Sequence, residues 1–275
     1  MKIFIIKCVV ILLLSLLTCN KKKAIYEDMY GSCDTSYQTS ELSFDEEQEL
    51  TFRLRFVYFA DSLQEEQINY DSSMMMINKF FKIANIKFEL ERVDTIVDSD
   101  KKENMPEYIK NNFKYYKDNK VLTCYIYGNY QPYYSEDRKY TSGAAGGIGS
   151  NFFCVRKRFV YSITMAHEIS HMFSLMHTDT PSKNNIKYSI YDSDLVCDTA
   201  PINNLQEKVD GDCNFIGEDE LTQEEKEQSV CNYMSWVHLK CRKCITNGQI
   251  RRIRFYIHES PMIQLAIKKG LKHEF

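Results

Sequence analysis

The sequence predicts an α+β domain made of two subdomains. Up to about residue 175, segments with the two-residue alternation of strands are interleaved with segments that have the periodicity of helices. The next stretch, of about 70 residues, shows little periodicity and carries five of the ten cysteines, and a helical pattern returns only near residue 246. We therefore expect an N-terminal subdomain at residues 49–174 and an irregular, cysteine-rich C-terminal subdomain at residues 175–275 that ends in a helix.

A mixed, twisted sheet with helices is expected in the N-terminal subdomain. Residues 50–60 and 85–93 alternate apolar and polar side chains, which predicts two strands. Between them, Asp61 or Ser62 can cap a helix that continues to about Ala84.

Three further segments complete this subdomain. After a charged loop with a short helix at residues 94–120, residues 121–127 form a nearly continuous apolar run, which is typical of a central strand. Residues 151–155 follow a glycine-rich stretch and predict an edge strand. Residues 159–175 have the pattern of a buried amphipathic helix.

The composition excludes several classes of protein. The 275-residue chain is 44% hydrophobic and 27% charged, which is ordinary for a globular protein and excludes a disordered chain, a collagen and a multi-span membrane protein. Its net charge of −3 predicts no binding to nucleic acid or to an anionic membrane surface. Ten cysteines fit an oxidising compartment better than the cytosol.

The N-terminus predicts export. An apolar run at residues 8–17 follows two lysines and has the length of a signal-peptide core, short of the roughly 20 residues of a membrane span. The run ends in LLTC, which resembles a bacterial lipobox. Residues 1–19 are thus interpreted as a signal peptide whose Cys19 is either a lipid anchor or unmodified, with an uncleaved anchor helix as the alternative. Residues 20–48 read as a polar spacer or pro-segment.

The most informative segment is HEISHMFSLMH at residues 167–177, which begins with the pattern H-E-x-x-H. On a helix, His167 and His171 are four positions apart, so both imidazoles project from one face as two zinc ligands do. Glu168 lies beside them, within reach of a metal-bound water. The alternative is a helix with one packed and one solvated histidine, because so short a motif also occurs by chance.

A third histidine favours the metal site. His177 is one of only six histidines in the chain. A continued helix would place it about 240° around the axis from His171, away from the metal, so the helix must end and turn between them. Three histidines with one open position are typical of a catalytic rather than a structural zinc site.

These residues resemble the metzincin signature H-E-x-x-H-x-x-G-x-x-H and, more narrowly, the pappalysin family. In that family the third histidine precedes a threonine, here Thr178, and later a D-x-V-x-D-T-P-like stretch, here DLVCDTAP at residues 194–201. An N-x-M-x-Y methionine turn and a T-x-x-Q helix start follow; this chain has NYMSW at residues 232–236 and TNGQ at residues 246–249. The resemblance covers about residues 50–258.

The resemblance implies a metzincin-like catalytic domain that hydrolyses protein or peptide substrates. His167, His171 and His177 would bind Zn²⁺, and Met234 would form an apolar floor beneath the imidazoles. Glu168 would act as general base, accepting a proton from a zinc-activated water that attacks the scissile carbonyl and passing it to the leaving amine.

Three residues depart from the family pattern. Ser174 replaces the glycine whose left-handed conformation turns the chain toward the third histidine, which costs about 1 kcal/mol and is interpreted as tolerable strain. Trp236 replaces a tyrosine whose phenol approaches the metal site, and Ala200 replaces a proline.

Eight cysteines lie outside the leader, enough for four disulfides. By resemblance Cys241 pairs with an upstream cysteine, for which Cys213 is the best candidate. Cys124 and Cys154 lie on neighbouring predicted strands and can pair. Cys33 is a disulfide cysteine, a free thiol in a tail or a switch whose thiolate binds the zinc, as in some latent metalloproteases.

Other interpretations stay open. A surface-anchored binding protein that retains the metzincin fold without useful activity is favoured by Ser174 and Trp236 and disfavoured by the intact Glu168. A different zinc hydrolase would use Asp179 or a downstream glutamate as its third ligand. The aspartates between residues 192 and 212 are compatible with a structural Ca²⁺, although a solvated acidic loop is favoured because no loop-spacing motif is present.

Overall fold

The computed structural model describes residues 48–60, 68–97, 105–112, 120–128, 142–179, 194, 196, 198–200 and 202–268. The signal peptide at residues 1–19, with Cys19, and all but the last residue of the segment at 20–48, with Cys33, lie outside this part of the chain. No helix in the described part is long and apolar enough to span a membrane. The helices and strands are, in order, β1 (Leu50–Ala60), α1 (Tyr70–Phe81), β2 (Ile86–Val97), α2 (Met105–Asn112), β3 (Leu122–Tyr127), β4 (Gly143–Ala145), β5 (Phe152–Arg156), α3 (Thr164–Met172), α4 (Gln223–Cys231), α5 (Asn247–Glu259) and α6 (Pro261–Gln264).

The fold is α+β, as predicted, with a five-stranded mixed sheet in the order β2-β1-β3-β5-β4. The first four of these strands are parallel to their neighbours, and only β4 runs antiparallel, along β5. β3 lies in the middle of the sheet and all six of its residues are buried, which confirms the central strand predicted from its apolar run. In the part of the second half that the structure describes there are two disulfides, and the last two helices there are α5 and α6.

An aromatic cluster attaches the end of α3 to the sheet. The ring of Phe173, one residue beyond α3, lies 5.1 Å from that of Phe52 on β1. Phe81 at the end of α1 and Phe88 on β2 complete the cluster, with centroids 5.2 Å apart, and all four rings are almost fully buried. Because buried aromatic pairs of this kind stabilise cores strongly, the position of the α3 C-terminus relative to the sheet is well fixed.

The last described residues return to the first strand. The backbone N–H of Arg53 donates to the carbonyl of Ala266, and the backbone N–H of Lys268 donates to the carbonyl of Thr51. β1 pairs with β3 only from Leu54 onward, so the C-terminal segment occupies the position beside the first half of β1 that β3 leaves open.

Several element boundaries differ from those predicted. α1 begins at Tyr70, because the side chain of Asn69 accepts the N–H of Ser72 as an N-cap, whereas Asp61 and Ser62 lie outside the described residues. β2 continues to Val97 rather than ending near residue 93. α3 has nine residues and is shorter than the predicted helix at residues 159–175. A 3₁₀ turn at Lys157–Phe159 precedes it, and the left-handed conformation of Ser174 prevents it from continuing.

The strand predicted at residues 151–155 is confirmed, but its predicted position at the edge of the sheet was wrong. β5 occupies this segment, but β4 pairs with its outer side and is itself the edge of the described sheet. All five residues of β5 are buried, as expected for an interior strand. The sequence of β4, Gly-Ala-Ala, has no alternation that would indicate a strand.

One predicted disulfide is confirmed and another is wrong. Cys213 pairs with Cys241, as the resemblance implied, and Cys231 pairs with Cys244. Cys124 and Cys154 are buried and free. The two lie on adjacent strands, but Cys124 is opposite Phe153 in the register, so this one-residue offset points the two thiols to opposite faces of the sheet.

We expect that replacing Cys213 and Cys241 together by serine lowers the free energy of unfolding by about 3–4 kcal/mol, because the bond closes a long loop in the unfolded chain. The sequence separation is 28 residues, against 13 for Cys231 and Cys244. Replacing Cys231 and Cys244 by serine should therefore lower the free energy of unfolding by about 0.7 kcal/mol less than replacing the first pair does. Equilibrium urea unfolding measures both losses, and a larger loss for the shorter loop would contradict this explanation.

Candidate metal centre

Helix α3 supplies the first two histidines of the site. All its residues except His171 are buried, because the helix packs between the sheet and later residues such as Met234 and Ile253. His167 and His171 are one helical turn apart, so their rings project from the same side, as the motif predicts. The third histidine, His177, follows the turn beyond the helix.

That turn has the hydrogen bonds of a Schellman motif. Ser174 has a φ of 74° and donates its N–H to the carbonyl of His171 over 3.1 Å, while Leu175 donates to the carbonyl of Ser170 over 2.9 Å. A helix end between His171 and His177 and a left-handed residue at Ser174 are confirmed, although α3 ends at Met172 rather than at residue 175. The chain then reverses its direction and returns His177 to the face that carries the other two histidines.

The three histidines converge on one point. Nε2 of His167 is 3.0 Å from Nε2 of His177, and Nε2 of His171 lies 3.1 Å from each of the other two. They are the one group of three or more potential metal ligands with convergent atoms in the described part of the chain. His167 is buried, whereas His171 and His177 are partly exposed, which leaves one side of the triangle accessible.

The hydrogen-bond partners of the two Nδ1 atoms show which nitrogen of each imidazole ring carries the proton. Nδ1 of His167 is 2.8 Å from the carbonyl oxygen of Tyr233, and Nδ1 of His171 is 2.7 Å from that of Leu175. A carbonyl only accepts hydrogen bonds, so each Nδ1 carries a proton. Burial lowers the pKa of both rings, which keeps them neutral and leaves a lone pair on each Nε2.

A divalent cation fits this arrangement. The Nε2 atoms of His167 and His171 carry no proton to share, so their contact at 3.1 Å is repulsive unless a positive charge lies between them. Four ligands held tetrahedrally at the usual Zn–N distance would be about 3.3 Å apart, close to the sides of the observed triangle. Carbonyl groups on the outer nitrogens are also the usual support for metal-binding histidines.

Glu168 is buried directly beside the histidines. The backbone N–H of Ala145, on β4, donates a hydrogen bond to its carboxylate. Burial nevertheless raises the pKa of Glu168 to about 8, against the lowering effects of that hydrogen bond and of the nearby Arg242 guanidinium. A carboxyl in such a place binds a proton readily.

Gly143 is a site residue that sequence reasoning missed. A Cβ atom at this position of β4 would lie 2.9 Å from Oε1 of Glu168 and 2.9 Å from the carbonyl oxygen of Cys154. Only glycine therefore allows β4 to approach both the carboxylate and β5. The glycine-rich stretch in the sequence was the available signal, but nothing in it indicated the pairing with β5.

The predicted methionine turn lies against the third histidine. Met234 is fully buried, and its carbonyl accepts the N–H of Thr178, the residue after His177. The side chain of Asn232 fixes the turn by accepting the N–H of Met234. The preceding residue, Tyr233, supplies the carbonyl that faces His167.

Helix α5 supports this turn through a pair of amides. Nδ2 of Asn232 donates to Oε1 of Gln249 over 3.0 Å, and Nε2 of Gln249 donates back to Oδ1 of Asn232 over 3.2 Å. Gln249 is also the third residue of α5 and forms the capping box at the start of this helix with Thr246. The start of the last helix and the methionine turn are thus one hydrogen-bonded unit.

Trp236 packs against His177, with ring centroids 5.0 Å apart and planes at 78°. Its backbone N–H donates to Oδ1 of Asp179 over 2.8 Å, and burial raises the pKa of that carboxyl to about 7. Asp179 is outside the group of convergent ligand atoms, so the geometry favours His177 over Asp179 as third ligand. Asp179 and Trp236 line a neighbouring pocket of about 130 Å³ with Asn204, Gln206 and Glu207.

Three of the described aspartates between residues 192 and 212 accept hydrogen bonds from protein groups: Asp194, Asp198 and Asp210. Asp194 accepts from the N–H of Val196 and the hydroxyl of Thr199. Asp198 accepts from Thr246 and from the N–H of Gly248 at the start of α5, and Asp192 lies outside the described residues. Calcium binding stays a prediction.

No family model matches the sequence, and a search of curated proteins gives no significant match. Two of the similar solved structures are metalloproteinase-II from Bacteroides fragilis, with 14% identity and a TM-score of 0.32, and a chaperone–substrate complex, with 13% identity and a TM-score of 0.35. The first match covers 58% of this chain and 55% of the other, and the second covers 50% and 25%. Since both TM-scores are low, the case for a function rests on the site itself.

Proposed function

We propose that the protein is an exported zinc-dependent endopeptidase of the pappalysin-like metzincin type. The observation that carries this proposal is the triangle of three Nε2 atoms, each 3.0–3.1 Å from the others. In our proposal His167, His171 and His177 bind the zinc. The accessible side of the triangle provides the open position that separates catalytic from structural zinc sites.

Glu168 is the general base and acid in this proposal. A bound Zn²⁺ would supply an activated water and polarise the scissile carbonyl. Glu168 accepts a proton when the water oxygen bonds to the carbonyl carbon, and donates it to the nitrogen as the C–N bond breaks. The N–H of Ala145 and the absence of a side chain at Gly143 hold the carboxylate in place.

The substrate is a protein or peptide in an extended conformation. β4 is the edge strand of the described sheet and lies directly beside Glu168. In this proposal a peptide strand pairs with the outer backbone groups of β4 other than the N–H of Ala145, which bonds to Glu168. Met234 provides the apolar floor of the site in this proposal, which its complete burial supports.

Export is supported by the apolar run at residues 8–17 and by the disulfides of the C-terminal half, which persist in oxidising compartments. We propose a secreted protein or one held at the cell surface through a lipid on Cys19. The catalytic region would comprise the two subdomains at residues 49–174 and 175–275.

The test is made on purified protein without its leader. We expect about one zinc per chain by metal analysis and cleavage of a denatured protein that a chelator abolishes and added Zn²⁺ restores. Zinc without cleavage, in protein also trimmed of residues 20–48, would favour the alternative of a surface-anchored binding protein. A chain that binds no zinc would contradict the proposal.

We expect Gly143→Ala to lower kcat for peptide cleavage by about 10–100-fold while zinc content is unchanged. The new methyl group meets Oε1 of Glu168 and a backbone carbonyl at 2.9 Å, so the base must move, and displacements of about 1 Å cost catalysis on this scale. Gly211→Ala is the matched control, because its Cβ would have no atom within 4 Å. Steady-state kinetics compares them; equal activity of the two variants would contradict the role given to Gly143.

A further inference from the structure

The turn that ends α3 is held from the C-terminal helix. Nε of Arg252, on α5, donates to the carbonyl oxygen of Ser174 over 2.9 Å, and its Nη2 donates to the hydroxyl of Ser174 over 3.2 Å. Arg252 is 8% exposed and Ser174 is 5% exposed. Buried hydrogen bonds from a charged group are among the stronger ones in proteins.

The second of these bonds exists because the residue is serine. Ser174 has a φ of 74°, a conformation that glycine adopts freely and that strains residues with a Cβ atom. A glycine here would need no support, but it would also offer no hydroxyl to Nη2 of Arg252. The substitution thus introduces a strain together with the group through which that strain can be offset.

Two histidines depend on the conformation of this turn. The residue after Ser174 is Leu175, and its carbonyl oxygen lies 2.7 Å from Nδ1 of His171. Two residues further on is His177, whose Nε2 completes the triangle. A rotation of the backbone at Ser174 would therefore move the carbonyl that supports His171 and would also move His177 itself.

We infer that Arg252 is a positioning residue of the three-histidine centre, which acts by holding Ser174 in its left-handed conformation. Its guanidinium donates to Ser174 and acts on the histidines through this residue. Asp194, which is buried near Arg252, provides a negative charge close to this guanidinium. The site is thereby connected to α5 at two points, through Arg252 and through Gln249.

The first test measures affinity for Zn²⁺ by competition with a chelator. We expect Arg252→Gln to weaken binding by about 10–100-fold, as loss of supporting groups around metal ligands does. Adding Ser174→Gly to this variant should restore the affinity to within about threefold of the wild type, because glycine adopts the turn without help. An unchanged affinity in Arg252→Gln, or a loss that Ser174→Gly does not restore, overturns the inference.

The control for a general loss of stability is Arg254→Gln. Arg254 lies on the same helix and is also buried, but its guanidinium donates to the carbonyls of Ala84 and Gln48, whereas that of Arg252 donates to Ser174. We expect it to lower the unfolding midpoint without weakening zinc binding. Equal losses of affinity in the two arginine variants overturn the inference.

A second measurement uses metal-free protein. It does not rest on the proposed function, whereas the zinc-affinity test does. The amide of Leu175 bonds to the carbonyl of Ser170 within the turn. In metal-free protein, hydrogen exchange of this amide should be at least about tenfold faster in Arg252→Gln than in Arg254→Gln. Equal rates overturn the inference, whereas a wild type that binds no zinc would contradict the proposed function alone.

Discussion

Replacing Glu168 by glutamine is expected to lower kcat/KM for peptide cleavage by about 10²–10⁴-fold and to leave one zinc per chain, the range expected for loss of a general acid–base group. Glutamine has the same shape and can still accept the N–H of Ala145, but its amide oxygen cannot take up a proton at neutral pH. The histidine triangle does not include this side chain, so metal binding should be unaffected.

The matched control is Glu220→Gln, which makes the same chemical change at an exposed position. It should cleave the denatured substrate at the wild-type rate. Zinc content by metal analysis and steady-state rates on one substrate are measured for both variants. Full activity of Glu168→Gln would exclude Glu168 as the base, and loss of zinc in that variant would show that its carboxylate supports the metal.

Replacing His177 by alanine is expected to weaken zinc binding by about 100-fold or more. Structural zinc sites with four ligands bind with about 10–16 kcal/mol, so one ligand accounts for roughly 3 kcal/mol. His177 contributes one of the three convergent Nε2 atoms, and its removal opens two sides of the triangle.

Asp179→Asn distinguishes this site from the hydrolase in which Asp179 is the third ligand. Asparagine can still accept the N–H of Trp236 through its side-chain oxygen, so the local structure is kept while the charge is removed. Chelator competition should show wild-type affinity for Asp179→Asn and a large loss for His177→Ala. The reverse result would assign the third ligand to Asp179.

Much of the candidate centre was predictable because its signals are local. The spacing of His167 and His171 fixes their common face on a helix, and the position of His177 requires a turn near Ser174, which the structure contains. The capping box at Thr246 and Gln249 likewise marks the start of α5 within four residues. The roles of these residues in catalysis remain predictions.

The parts that could not be predicted depend on contacts between distant segments. β4 consists of three small residues, and its pairing with β5 decides which strand is at the edge of the sheet. The orientation of Cys124 and Cys154 depends on strand register, which alternation within each strand does not give. Nothing in the sequence distinguishes Arg252 from the other polar residues of α5, because only the fold brings it to Ser174.

α4 shows a weaker local signal that was overlooked. Thr222 and Glu225 form a capping box like that of α5. The helix buries only two residues, Ser229 and Val230, so it lacks the apolar stripe by which amphipathic helices are recognised. Capping chemistry alone would have identified it.

The return of the chain to β1 has a consequence for how the protein is made. The partner of the first half of β1 lies at residues 266–268, more than 200 positions later, and Arg254 bonds to Gln48 across 206 positions. A chain emerging from the ribosome or a translocon thus exposes this strand edge until its last helices follow. Unpaired edges of this kind invite association between chains, so we expect folding to be slow and to require that the nascent chain be kept apart from its copies until synthesis has passed α6.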